Sequence, residues 1–294
     1  MARELMRGVL GHPGRREEEG PSRAGGELGE DARRCGGRAR TPGEPECAQG
    51  GFTLNVGGAT AQGMRRKNDD AFRIGHEQRF FAVSDGIGGA PDGEIVSRVA
   101  CGKSLEEYES SRDLVAAFRA GNDAATYVSR LIDSPDSGAT LLVAACDGEL
   151  MRFAWVGDSL AYRLRDGVLE RLTEVGRIGE GAMLDAAIGY GFGLDPRVAS
   201  CDVRPGDRLI LCTDGVWEPY EVLGLDRMAE RLADGANAPC IAGAIVDEAV
   251  RNGTDNATAV VIVVLPTASP ADAPAPSGSA PFASEGEHAE GVAS

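Results

Sequence analysis

The sequence predicts an α+β fold: an α-β-β-α sandwich in which two antiparallel sheets are flanked by helices. Three observations lead there. Apolar, strand-like runs follow one another across Asp147-Gly148 and Asp166-Gly167, dipeptides that favour tight hairpins. Helical patterns come in neighbouring pairs and do not alternate with strands, which argues against a βαβ series. The chain has 294 residues, of which 42% are hydrophobic, enough for a substantial core.

Residues 1–50 are rich in Gly, Arg, Glu and Pro and have no apolar periodicity. Such a stretch buries too little surface to offset its ordering entropy, so disorder is predicted. The ordered domain is expected over 51–265. It opens with the alternating strand Phe52–Val56, and Phe80–Val83 is a second short strand. Residues 91–109 read as a helix with Ile95, Val99 and Leu105 on one side. Residues 111–132 read as a stronger one, capped by Ser111, with Leu114, Phe118, Ala125, Val128 and Leu131 as its apolar stripe. Two hairpins follow, Leu141–Cys146 with Leu150–Val156 and Leu160–Leu164 with Val168–Leu172. Strands Val198–Val203 and Arg208–Cys212 flank Pro205-Gly206. Helices near 226–233 and 239–251 precede a last, continuously apolar strand, Ala259–Leu265. Residues 266–294 repeat Pro, Ala and Ser and read as a second disordered tail.

Composition narrows the chemistry. The net charge of −16 disfavours a nucleic-acid or anionic-membrane partner and suits hard cations. No apolar run approaches the roughly 20 residues that span a bilayer, and no signal-like apolar segment follows the N-terminal basic residues; a cytoplasmic protein is expected. Seven cysteines without a CxxC pair read as reduced thiols, with Cys146 and Cys212 packed in apolar runs. Only three histidines exist, His12, His76 and His288. A His-rich zinc site is excluded, and a Ser-His-Asp arrangement would have to use His76 without a supporting signature. Carboxylates, arginines, hydroxyls and metals remain.

Three times an apolar strand runs straight into aspartate, at Ser84-Asp85-Gly86, Gly157-Asp158-Ser159 and Thr213-Asp214-Gly215. One such aspartate is ordinarily a turn former. Two further pieces make a pattern: Arg65-Arg66-Lys67-Asn68-Asp69-Asp70 and, before the last strand, Asp255-Asn256. With these, the chain resembles the 2C family of metal-dependent protein phosphatases, bacterial type. That family carries Arg-x-x-Asn-(Glu/Gln)-Asp, Asp-Gly-x-Gly-Gly, Gly-Asp-Ser, Ser/Thr-Asp-Gly and Asp-Asn boxes in this order. Each box alone is weak, but the ordered set is specific, and it covers about residues 52–265.

The resemblance implies hydrolysis of phosphoserine and phosphothreonine on proteins, with two Mn²⁺ or Mg²⁺ ions as cofactors. Phosphate-monoester hydrolysis is among the slowest uncatalysed reactions, and enzymes accelerate it by up to ~10²¹, roughly 28 kcal/mol of barrier. Paired metals suit that task, and carboxylates are the hard ligands they prefer. By resemblance, Asp85 bridges both metals and the Gly86 carbonyl binds one. Asp214 and Asp255 complete the other site. Asp70 orients water on the metals, and Arg65 holds the substrate phosphate. Metal-activated water attacks directly, so Ser84 and Ser159 are not nucleophiles. Asp158 and Glu218 are candidates for a third, weaker metal. The implied partner is a phosphoprotein from a Ser/Thr kinase pathway, with no nucleic acid and no membrane. The alternative is a pseudophosphatase that recognises a phosphoprotein or kinase without turnover.

Some features depart from the family pattern. Ile87 stands where many eukaryotic members have a proton-transferring histidine. Asp69 replaces the usual Glu or Gln, and Ala139 replaces a Thr in Ser137-Gly138-Ala139-Thr140, read as structural. The segment from Thr173 to Ala187, which carries a mobile flap in bacterial relatives, is short and holds Gly176, Gly179 and Gly181. Arg66 and Lys67 read as solvated charges. Other readings of the glycines fail: Pro91 occupies the third glycine position of G-x-G-x-x-G, no Walker A sequence occurs, and Asp85–Glu94 lacks EF-hand spacing.

Overall fold

Two antiparallel sheets of five strands share one apolar interior in the computed structural model, which describes residues 51–87, 92–179 and 183–267. The predicted extension 1–50 and the tail beyond Thr267 lie outside the described residues. The strands are β1 Phe52–Ala61, β2 Ala71–Gly75, β3 Phe80–Ser84, β4 Leu141–Asp147, β5 Leu150–Val156, β6 Leu160–Arg165, β7 Val168–Arg171, β8 Arg197–Asp202, β9 Arg208–Cys212 and β10 Ala257–Pro266. One sheet runs β1-β10-β9-β6-β7 and the other β2-β3-β4-β5-β8. Helices α1 Gly93–Ser111 and α2 Leu114–Leu131 cover the second sheet. Helices α3 Asp214–Leu223, α4 Leu225–Ala233 and α5 Ala238–Asn252 cover the first. The α+β sandwich predicted from sequence is the observed fold.

Period-two alternation explains the continuous apolar strands. In β4, Leu141, Val143 and Ala145 face the helices, while Leu142, Ala144 and Cys146 face the opposite sheet. In β10, Val261 and Val263 face helices, and Val260, Ile262 and Val264 face the inter-sheet core. Strands buried on both faces need apolar residues at every position. β10 is central: it pairs with β1 from Phe52–Pro266 to Ala61–Ala257 and with β9 on its other side.

Both predicted Asp-Gly hairpins form, β4–β5 and β6–β7. The chain changes sheet four times: between β1 and β2, between β5 and β6 through Gly157-Asp158-Ser159, between β7 and β8, and between β8 and β9. The last crossing is pinned by Asp207, which is 1% exposed. Arg165 grips it with Nε to Oδ1 at 2.7 Å and Nη2 to Oδ2 at 2.6 Å, and Arg204 N donates to Oδ2 at 2.9 Å.

Several local expectations change. α2 is capped by Asp113, whose carboxylate accepts from Val115 N and Ala116 N; Ser111 ends α1. Ile95 and Leu131 are 36% and 48% exposed, so Val96 and Ala100, not Ile95, face the core from α1. β2 and α3 were not predicted. β2 is only five residues long with Arg73 at its centre. α3 carries Gly215 and Pro219, residues that weaken a helical pattern.

Replacing Arg165 with Met leaves the Asp207 carboxylate buried without its cation. Urea unfolding should show a loss of about 2–4 kcal/mol, near the lower end for breaking a buried pair because Arg165 keeps some solvent.

Candidate active site

The five boxes meet at one end of the sandwich. Asp85 follows β3 and Asp70 precedes β2, its antiparallel neighbour. Asp214 follows β9 and Asp255 precedes β10, likewise antiparallel neighbours. Each pair therefore emerges on the same side of its sheet. The sheets are joined there by Thr213 Oγ1, which donates to Asp70 Oδ2 at 2.9 Å.

Hydrogen bonds fix the loops. Asp85 N donates to Thr140 Oγ1 at 2.9 Å, Thr140 N returns a bond to Asp85 O at 2.8 Å, and Thr140 Oγ1 meets Ser159 Oγ at 2.8 Å. This gives the Ser-Gly-Ala-Thr segment its structural role and ties the Gly-Asp-Ser box to Asp85. Ser84 Oγ is buried and donates to Thr140 O. Asn256 clamps the first box: Oδ1 accepts from Asp69 N at 2.9 Å, and Nδ2 donates to Gln62 O and Lys67 O at 2.7 and 2.9 Å. Gly215 lets this clamp sit against α3, since a Cβ there would lie 1.8 Å from Asn256 O.

Asp70, Asp85 and Asp214 form the centre. Burial is the largest cause raising each carboxyl's pKa: Asp70 to about 6 and Asp214 to about 7. Asp85 is raised well above the usual carboxylate range by burial and then by Asp70 and Asp214. Asp85 and Asp214 keep some exposed surface as residues. Their carboxyls lie against each other, and without a cation they titrate as one coupled unit. Asp70 Oδ1 and Asp214 Oδ1 are buried and accept no hydrogen bond. Buried acceptors of negative charge without donors fit a cation. Among the described residues no three acidic, His or Cys side chains form a closed cage.

Arg65 stands at the mouth, exposed, with Nη2 2.5 Å from Asp255 Oδ2. Gly86 is buried and its N donates to Asp69 O at 3.1 Å. Asp158 and Glu218 lie on the other flank, both bound to Arg177. Lys67, read from sequence as solvated, pairs with Asp69 at 3.0 Å. His76 lies beyond the far end of β2, about 17 Å of strand from Asp70. Gly88, Gly89 and Pro91 lie outside the described residues. Sequence reasoning placed Thr213 in its box and read the Thr140 segment as structural, without the bonds each makes to Asp70 and Asp85. It missed Arg177. Arg177 was visible only as the cation inside a glycine-rich segment.

A family model described as protein phosphatase 2C matches residues 58–239. The chain belongs to the protein phosphatase 2C family. The serine/threonine protein phosphatase PstP of Mycobacterium tuberculosis is 30% identical over 231 residues, 69% of this chain and 43% of that protein. The chain thus spans less than half the length of the curated relatives it matches. Among solved 2C structures, the catalytic domain of PstP in complex with two manganese ions aligns at TM-score 0.64 and 27% identity, covering 73% of this chain and 99% of that one. The phosphatase MsPP from Mycobacterium smegmatis, in complex with cacodylate, aligns at TM-score 0.62 and 28% identity, covering 71% and 97%.

The raised carboxyl pKa values set a sign. These groups favour the folded state while protonated, and that contribution is lost as pH rises through about 6 to 7. Metal-free protein in EDTA should therefore melt at a lower temperature at about pH 8 than at about pH 5. Asp85→Asn should flatten that fall and raise the metal-free Tm at the higher pH by about 2–4 °C per kcal/mol relieved, read by circular dichroism. Gly215→Ala should cost at least about 1–3 kcal/mol in urea unfolding, because the atom it meets is backbone.

Proposed function

We propose that this chain is a metal-dependent phosphoprotein phosphatase that hydrolyses phosphoserine and phosphothreonine by direct attack of water, using two Mn²⁺ or Mg²⁺ ions. The observation that carries the reading is the buried Asp70–Asp85–Asp214 cluster with two carboxylate oxygens that accept no hydrogen bond. Family membership, the manganese-bound catalytic domain of PstP and the retention of every metal-site aspartate support it over a non-catalytic binding role.

Asp85, the Gly86 carbonyl, Asp214 and Asp255 would hold the two ions. When bound, the ions would supply Lewis acidity and a nucleophile from water at neutral pH. The remaining work belongs to side chains. Asp70, held by Thr213 Oγ1 and set against Asp85, orients the attacking water through its carboxylate. Arg65 is exposed on one edge and can present two N–H groups to phosphate oxygens. Its Nη2 donates to Asp255 Oδ2, which holds the guanidinium beside the acid cluster. Ser84 and Ser159 are buried and already bonded, which fits a mechanism without a phosphoenzyme. Among the described residues, Ile87 and the remote His76 leave no imidazole at the site to protonate the leaving alkoxide, so that proton comes from water. The substrate is a phosphoprotein of a bacterial Ser/Thr kinase pathway, in the cytoplasm. No described helix is long and apolar enough to cross a membrane.

Hydrolysis of p-nitrophenyl phosphate and of a phosphothreonine peptide should require Mn²⁺ or Mg²⁺ and vanish in EDTA. Asp85→Asn and Asp214→Asn should each abolish it. Arg65→Lys should lower kcat/KM for the peptide by roughly 10²-fold, the scale of losing one preorganised donor. Turnover that survives EDTA, or is unchanged in both aspartate variants, sinks the mechanism.

A further inference from the structure

The acid cluster on the Asp158 flank contains a cation of its own. Arg177 Nε donates to Asp158 Oδ2 at 2.6 Å, Nη2 to Asp214 Oδ2 at 3.1 Å, and Nη1 lies 2.7 Å from Glu218 Oε1. The guanidinium carbon sits 5.0 Å from the centre of the Trp217 ring. Its edge is satisfied by three carboxylates and its face by an aromatic ring, the two surfaces a guanidinium offers. Trp217 is itself fixed, since its Nε1 donates to Asp158 O at 2.9 Å. Asp158 is 3% exposed, and a carboxylate buried that far needs a counter-charge.

The backbone that delivers Arg177 is equally built. Gly176 N donates to Gly157 O at 3.0 Å, tying the shortened segment to the Gly-Asp-Ser turn. A Cβ at Gly176 would lie 2.3 Å from Gly157 O, so this approach requires glycine. Arg177 and Leu184 form a bridge, flanked by Ile178 N to Met183 O and Asp185 N to Gly176 O, both at 2.9 Å. Arg197 on β8 grips Asp185 from below. These bonds pair residues 176–178 with 183–185, and the arginine they carry is aimed into the cluster.

We propose that Arg177 is the resident cation of the Asp158–Asp214–Glu218 cluster, in the place that a third metal takes in the family pattern. The carboxylates of that site do not fit a further divalent ion while the guanidinium occupies them, because like charges would share the same oxygens. The enzyme then carries two exchangeable metals, and the shortened flap segment is anchored by its own side chain. This inference rests on the two-metal phosphatase reading.

The test counts metal. Mn²⁺ is titrated into the EDTA-stripped full chain, and binding is read from the loss of the free Mn²⁺ electron paramagnetic resonance signal. The unmodified chain should saturate at two ions at millimolar free metal. Arg177→Ala should gain one further, weaker ion, and Asp158→Asn added to it should remove that gain. Arg177→Lys, which keeps the charge, should stay at two. Circular dichroism checks that each variant folds, and Arg177→Gln stands in if the alanine variant does not. Three ions on the unmodified chain, or two on a folded Arg177→Ala or Arg177→Gln, overturn the proposal. If the unmodified chain shows Mn²⁺-dependent turnover but binds three ions, only the arginine assignment fails. If it binds fewer than two and shows no turnover, the phosphatase reading fails with it.

Discussion

Several carboxylates are held together at the rim of a hydrophobic sandwich, and that repulsion is the constraint on which the structure turns. Asp70, Asp85 and Asp214 would separate in water. Here each is fixed by backbone it cannot leave: Asp85 by two bonds to Thr140, Asp70 through Thr213, Asp214 at the first turn of α3. The fold supplies the energy to hold them from its three apolar layers. Local instability at a site tuned for a ligand is a familiar trade, and the ligand restores what the repulsion removes.

Topology determines which aspartates meet. Antiparallel pairing brings the end of one strand beside the start of its neighbour, so Asp85 lies near Asp70 and Asp214 near Asp255. Facing the two sheets then joins both pairs. The chain's four changes of sheet follow from the same packing, and one of them is the Gly157-Asp158-Ser159 turn. One box therefore both connects the layers and carries an acid to the rim.

Much of this was legible in the sequence because the signals are local. Asp-Gly turns announced both hairpins, and apolar runs ending in aspartate marked the rim. The order of the boxes gave the family. What stayed hidden depended on partners far along the chain. Arg177 is 19 residues from Asp158 and 37 from Asp214, and its neighbours in sequence are glycines that suggest slack. β2 is short and interrupted by Arg73, so only its pairing with β3 makes it a strand. α3 contains Gly215 and Pro219 because other requirements outrank helix propensity there: Gly215 admits Asn256, and Pro219 packs against Gly253. The cap predicted at Ser111 falls on Asp113 instead, two positions on, where the backbone turns extended and the carboxylate reaches Val115 N and Ala116 N.

β10 lies between β1 and β9, yet it is the last of the described strands, and Asp255 enters just before it, 190 residues after its partner Arg65. During synthesis on the ribosome, the first sheet lacks its middle until that strand emerges. β1 has no neighbour to pair with, and the rim lacks both an acid and the Asn256 clamp. Contacts this distant in sequence form late and slowly. The rim is therefore a property of the whole fold: no nascent chain that stops short of Asp255 and Asn256 can hold all of its acids and its clamp together.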